Sequence, residues 1–321
     1  LIAPSDMASQ YTEEPVKQTS ELAINGGSPV RTRPMPTVND ISGRRIGVEE
    51  EAAIEVAVPG DAEIRAMRAH RVDVRPHPHI GLATVTYLFD GEIMHRDSLG
   101  TELPIRPGEL NWMTAGRGIT HSEFSTRDTS VLHGVQLWYA LPEATSHMEH
   151  RFIHHVPQPV HGEGSQIRVF IGELAGDDAR VETSTPPLLG AEILLEPGAV
   201  LELDAQAGFE HGVYLDSGSL SVDGVAVETE HLAYIGPGRE SLRLEVDGDA
   251  EPVRLILLGG EPLGEEIVMW WNFIGRSHDD VVAARDRWMA EIGEQPRHDR
   301  SDIAVGDHEA LRDFADRHSD C

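Results

Sequence analysis

Short apolar runs separated by Gly, Pro and Asp turn signals recur along most of the chain, at residues 53–58, 84–89, 110–113 and 131–141 in the first half. A second set follows at 167–171, 191–195, 200–203, 212–215, 219–222, 242–246 and 253–258. Runs of this length and spacing predict the strands of an all-β barrel or sandwich rather than βαβ units. Between the sets, residues 142–166 carry His147, His150, His154, His155 and His161 with Pro157 and Pro159, and read as a connector. Residues 1–38 are polar, contain Asn25-Gly26-Gly27, Pro29, Pro34 and Pro36, and show neither helical nor strand periodicity, so a flexible lead-in is expected there. The predicted organisation is this lead-in over 1–38, a first barrel over 39–142, a connector over 143–166, a second barrel over 167–276, and a helix with an acidic tail over 277–321.

The helical period is clear once. Ser277 and Asp280 form an S-x-x-D capping box, and Val281, Ala284, Trp288 and Ile292 fall on one face before Gly293 and Pro296 stop the helix. That face needs a partner surface, most economically a barrel wall. Residues 297–321 are charged, with one short helix expected around 309–317.

At 321 residues, two ordinary domains fit. With 31 Gly and 20 Pro but only 5% aromatic residues, the composition is that of a turn-rich globular chain. No apolar run approaches the ~18 residues of a membrane span, so no transmembrane role is expected. Acidic residues outnumber basic ones by 55 to 26, for a net charge of −29, which disfavours direct contact with nucleic acid or anionic lipid. Lys17 is the only lysine. Such a chain suits a high-salt cytoplasm, and GC-rich coding would equally replace Lys by Arg. The single cysteine, Cys321, permits no intrachain disulfide, and residues 1–14 show no basic region followed by an apolar stretch, so a cytoplasmic location is expected.

Two pairs of potential ligands carry the chemistry: His77-Pro78-His79 and His121-Ser122-Glu123. Side chains on a strand alternate with period two, so each pair would point to one face and four ligands could converge inside a barrel. Three imidazoles and a carboxylate suit Fe(II), Mn, Ni or Cu, and the lack of a nearby cysteine excludes a thiolate zinc site. Pro78 cannot donate a ladder hydrogen bond, which puts its strand at an edge or rim. An isolated H-x-H among 17 histidines is commonly a surface coincidence. Here, however, Gly91, Pro107-Gly108 and Gly116-Arg117-Gly118 stand between the pairs where a barrel needs turns. There is no H-E-x-x-H, G-x-S-x-G, P-loop or C-x-x-C motif. Arg117 reads as a surface ion pair rather than an anion contact, and Trp112, Met113 and Trp138 as core or pocket wall. His95 is a candidate to orient a ligand. The lone His211 reads as structural, and the histidines of 147–161 as connector surface.

The stretch His77-Pro-His-Ile-Gly-Leu-Ala-Thr-Val-Thr-Tyr-Leu-Phe-Asp-Gly91, then His95-Arg-Asp-Ser, Pro107-Gly-Glu-Leu-Asn-Trp-Met-Thr-Ala-Gly-Arg-Gly-Ile-Thr-His-Ser-Glu123 and His133-Gly-Val-Gln-Leu-Trp138, resembles the N-terminal domain of the pirin family over roughly residues 70–142. Trp270-Trp-Asn-Phe-Ile-Gly-Arg-Ser277 is similar to the pirin C-terminus. The resemblance implies a bicupin, two tandem cupin-type β-barrels with a non-haem iron in the first only. The implied metal ligands are His77, His79, His121 and Glu123. Many cupins place a ligand Glu where this chain has Ala83, so the carboxylate falls to Glu123, as in pirins. Residues 57–76 read as a shortened form of the segment that precedes H-P-H in the family.

Two functions follow from the resemblance. One is a metal-dependent dioxygenase of the quercetin 2,3-dioxygenase type, cleaving the ring of a flavonol-like enol with O₂, with Glu123 also accepting the enol proton. The other is an iron-dependent regulatory protein that binds a transcription factor or a metabolic enzyme and turns nothing over.

Overall fold

The computed structural model describes residues 73–291, except positions 175, 180, 182, 184, 230 and 271, together with strands Val16–Gln18, Arg31–Pro34, Glu51–Val58 and Ala62–Ala69. The first barrel consists of two antiparallel sheets. One runs, in spatial order, Arg151–His155, Leu110–Thr114, Leu82–Asp90, Leu132–Ala140, Ala62–Ala69 and Glu51–Val58. The other runs Asp73–His79, Ile119–Ser125, Ile93–Asp97 and Glu102–Ile105. The H-P-H strand is therefore an edge strand, where Pro78 leaves no ladder bond unmade.

Strand Leu82–Asp90 is buried along most of its length because both of its faces are covered. Thr84 and Thr86 point into the barrel, while Ala83, Val85 and Tyr87 alternate outward. The outward set joins Val135, Leu137 and Tyr139 in one apolar cluster with Phe170, Tyr214, Leu232 and Ile256 of the second barrel. Double coverage explains why this strand reads as a continuous apolar run.

An ionic seam crosses the same contact. The Tyr87 hydroxyl and Arg168 Nη1 each donate to Glu192 Oε2 at 2.9 Å, and Arg254 lies 3.4 Å from the other Glu192 oxygen. Burial, then the charge of Glu192, push the Tyr87 phenol well above its ordinary range. Arg254 also lies 3.7 Å from Asp216, whose other oxygen is 2.7 Å from His133 Nε2.

The second barrel has one sheet ordered Val160–Gly162, Ser165–Leu174, Leu188–Leu195, Val253–Gly260, Glu210–Ser217, His231–Ile235 and Arg31–Pro34. Its other sheet is Val200–Asp204, Ser241–Glu245, Leu220–Val222 and Val225–Val227. Apolar side chains fill the interior, among them Ile193, Val213, Leu215, Leu244, Leu255 and Leu257. His211 is buried with them; its Nδ1 has no hydrogen-bond partner, and burial lowers its pKa, so it stays neutral.

The structure differs from the sequence reading in three places. Within 1–38, Val16–Gln18 pairs with Ile267–Trp270 and Arg31–Pro34 with His231–Ile235. The connector contributes Arg151–His155 to the first barrel and Val160–Gly162 to the second. All four are edge or end strands paired through the backbone, and the two connector strands lack the apolar alternation that marks a strand in sequence. Finally, the hairpin Ile267–Trp270 and Phe273–Gly275 leaves the second barrel and packs on the first, through Ile267 and Ile274 against Leu82, Trp138 and Ala140.

This hairpin leads into the helix His278–Glu291. Its capping box is formed: the Asp280 carboxylate accepts from the Ser277 amide at 2.8 Å, and Ser277 Oγ accepts from the Asp280 amide at 3.2 Å. Val281, Ala284 and Trp288 bury against Phe273, with Ile80 of the first barrel packed on the same cluster. Gly81 makes the close approach possible: its φ is +68°, and a Cβ there would stand 2.1 Å from the Ile274 carbonyl oxygen. Ile292, the helix stop and the short helix expected around 309–317 lie outside the described residues.

Candidate metal centre

Strand Ile119–Ser125 is the hub of the site. On one side His121 faces His77 in register; on the other His121 faces Asp97 and Glu123 faces His95. A register shift between His121 and Glu123 on the His77 side kinks the pairing there. The imidazoles of His77, His79 and His121 form a triangle with ring centroids 4.4–5.0 Å apart. Two overlapping groups have ligand atoms within 4.8 Å of one another, His77–His79–His121 and His95–His121–Glu123, with His121 common to both. His79, His95, His121 and Glu123 are buried, whereas His77 is half-buried at the edge strand.

Each side chain is held in a particular state. His77 Nδ1–H donates to the Arg75 carbonyl at 2.8 Å and His79 Nδ1–H to the Asn272 carbonyl at 3.2 Å. Those bonds leave each Nε2 with its lone pair toward the cluster. Burial, then His77, His79 and His95, hold the His121 pKa well below its ordinary value, so its ring is neutral. The Glu123 carboxylate accepts from Thr86 Oγ1 at 3.2 Å and Gln136 Nε2 at 2.9 Å, both on the opposite sheet. His95 Nε2 is 3.1 Å from Asp97, and Phe152 lies over the His95 ring at 4.6 Å. Trp138 closes one wall, its ring edge-on to His79 at 5.3 Å.

This donor set fits a divalent first-row ion. His79 Nε2 and His121 Nε2 are 3.0 Å apart, the separation that two bonds of about 2.1 Å at a right angle would give. His121 Nδ1, on the other side of that ring, is buried with no hydrogen-bond partner. Imidazoles and a carboxylate, without thiolate, suit Fe, Mn, Ni or Cu.

Of the four ligand candidates from the sequence, His77, His79 and His121 fall in one of these groups, and Glu123 falls with His121 and His95 in the other. Sequence reading missed Thr86, Gln136, Asp97, Phe152 and the Asn272 carbonyl. Gln136 had a signal, a buried amide inside an apolar run; the Asn272 carbonyl had none. Arg117 makes a surface ion pair with Glu149 at 2.7 Å. Trp112 and Met113 are core residues, in the interbarrel cluster and in a smaller cluster with Ala115 and Ile119. Of the connector histidines, His150 bonds the Gly118 carbonyl and His154 the Asn111 side chain. Among the described residues, the groups able to hold a metal all belong to the first barrel.

Two β-barrels in tandem, with a His/carboxylate cluster inside the first, define a bicupin. The family model described as pirin matches residues 55–139, and that of the pirin C-terminal cupin domain matches residues 190–291. A Pseudomonas aeruginosa protein named as a candidate quercetin 2,3-dioxygenase is 43% identical over 216 residues, 67% of each chain. A pirin-like protein of Caulobacter vibrioides is 38% identical over 226 residues, 68% of this chain and 76% of its own. The chain belongs to the pirin family. The crystal structure of a quercetin 2,3-dioxygenase from Acinetobacter baumannii superposes with a TM-score of 0.72 at 27% identity, covering 86% of this chain and 94% of the other. No helix among the described residues is long and apolar enough to cross a membrane.

Proposed function

We propose that the first barrel is a metal-dependent dioxygenase site of the quercetin 2,3-dioxygenase type, acting on a flavonol-like enol and O₂. His77, His79, His121 and Glu123 hold one divalent ion, Fe(II) in first place, with Mn, Ni and Cu as alternatives. The observation that supports the reading is the triangle of the His77, His79 and His121 imidazoles, with the oriented Glu123 carboxylate in an overlapping group that shares His121. The names of the Pseudomonas and Acinetobacter relatives support the substrate class. The single cysteine, which permits no intrachain disulfide, supports a cytoplasmic setting.

The bound ion supplies Lewis acidity and redox chemistry toward O₂. The chain's residues supply the rest. Thr86 and Gln136 fix the Glu123 carboxylate, which accepts the enol proton at an oxygen and leaves an electron-rich enolate. Trp138 and the buried imidazoles exclude water from one side of the site. The half-buried His77, at the edge strand, marks the side open to substrate. His95 and Asp97 lie on the neighbouring strand of the same sheet, in register with Glu123 and His121, and support that strand from its side.

The test is aerobic depletion of a flavonol by protein loaded in turn with Fe(II), Mn, Ni and Cu, with O₂ uptake recorded alongside. The expected result is flavonol and O₂ consumed together with at least one metal. If no loaded form consumes either, the dioxygenase reading fails and a regulatory, non-catalytic role takes its place.

A further inference from the structure

The imidazole that the proposed function makes a metal ligand, His79, is held by a carbonyl from the far end of the chain. Asn272 is 193 positions away and belongs to the strap formed by hairpin Ile267–Trp270 and Phe273–Gly275 with helix His278–Glu291. We propose that this strap is a positioning element for the metal centre, so that strap docking and metal binding strengthen each other.

The strap reaches the ligand strand by two routes. The first is direct: a carbonyl oxygen can only accept, so the Asn272 contact places the proton of a neutral His79 on Nδ1 and leaves Nε2 as the donor to a metal. With the strap displaced, that buried carbonyl is gone and the ring is free to take the other tautomer or another orientation. The second route is packing. Ile267 and Ile274 press on Trp138, whose ring meets His79 edge-on at 5.3 Å. One residue beyond His79, the Ile80 carbonyl accepts from the Ile274 amide at 3.1 Å, and Ile80 packs with Phe273 and the helix.

The strap is anchored away from the ligands. Arg276 donates through Nε and Nη2 to Glu265 at 2.8 and 2.6 Å, and through Nη2 to the Leu141 carbonyl at 2.6 Å. Glu265 in turn accepts from the Glu143 amide at 3.0 Å. Val281, Ala284 and Trp288 supply the apolar part of the anchor. A lever that sets a ligand's tautomer and rotamer, and is itself secured at a distance, couples the two equilibria. Linkage requires the coupling to run both ways.

The proposal rests on the reading of His79 as a ligand, and its test separates the two. Full-length Arg276→Ala, Arg276→Lys and Trp288→Ala proteins are compared with wild type and with His79→Ala. Affinity for Fe(II) is measured anaerobically by competition with a chromophoric chelator, and amide exchange of residues 267–291 is measured with and without Fe(II). We expect affinity to fall in step with strap protection, by roughly 10-fold or more in the variant whose strap exchanges fastest, with Arg276→Lys closer to wild type. Fe(II) should slow strap exchange in wild type and not in His79→Ala. The ¹⁵N signals of His79 should report the Nδ1–H tautomer in metal-free wild type and a mixture where the strap is released.

A variant with an exposed strap and wild-type affinity overturns the coupling, as does wild-type strap exchange that ignores Fe(II). If His79→Ala has meanwhile lost the metal, the ligand reading stands without the coupling. If His79→Ala binds Fe(II) as tightly as wild type, the ligand reading fails and the coupling with it.

Discussion

His79 Nε2 and His121 Nε2 meet at 3.0 Å in the interior of the first barrel, although 42 positions separate them in the chain. Their strands lie side by side, with Ile119 opposite His79 and His121 opposite His77. Both rings are buried. Two imidazoles with ring nitrogens this close are set up to share a proton or a cation, and the Glu123 carboxylate beyond them favours a cation.

Binding and chemistry should come apart in Glu123→Gln. The amide oxygen can still coordinate weakly, so some metal should remain, but the amide cannot accept the enol proton. Loss of a general base costs ~10²–10⁴ in rate, so flavonol consumption should fall well below a tenth of wild type. Turnover near the wild-type rate in a metal-loaded Glu123→Gln protein would remove Glu123 from the proton transfer.

Acid should weaken the metal-free protein through His121. Its folded-state pKa lies below the ordinary value of about 6.5 because burial, then His77, His79 and His95, oppose its charge. The unfolded chain therefore takes up the proton first as pH falls, and unfolding becomes easier below about pH 6.5. The stability this ring contributes is full above that pH and is lost progressively below it. Denaturant midpoints between pH 7.5 and 5 should show a decline that His121→Asn flattens; parallel pH curves for the two proteins would contradict it.

The two candidate pairs stood out because strand geometry turns an i, i+2 spacing into a shared face, and Pro78 marked an edge. The helix was legible through Ser277, Asp280 and the Val281–Ala284–Trp288 face. What holds these side chains was not legible. Thr86 and Gln136 sit inside apolar runs whose other face makes the interbarrel core, and composition does not tell which residues face Glu123. The Asn272 contact uses a main-chain oxygen, which any residue carries. Arg151–His155 was hidden for a related reason: a half-exposed end strand needs backbone partners and not apolar alternation.

The interbarrel seam should depend on Tyr87. Its hydroxyl donates to the buried Glu192 carboxylate, which Arg168 and Arg254 also approach. Tyr87→Phe removes one charge-assisted hydrogen bond and keeps the ring in the apolar cluster. The expected loss is about 1.5–3 kcal/mol in urea unfolding. A Tyr87→Phe protein as stable as wild type would show that the two arginines satisfy Glu192 by themselves.

Metal content of the purified protein tests the central assignment most directly. After loading with Fe(II) and removal of loose ions, wild type should carry about one metal per chain, and His79→Ala at most about a tenth of that under the same conditions, since losses of 10–100-fold follow even from removing a ligand's supporting partner. Full occupancy in His79→Ala, or no metal retained by wild type, would contradict a metal centre built from His77, His79, His121 and Glu123.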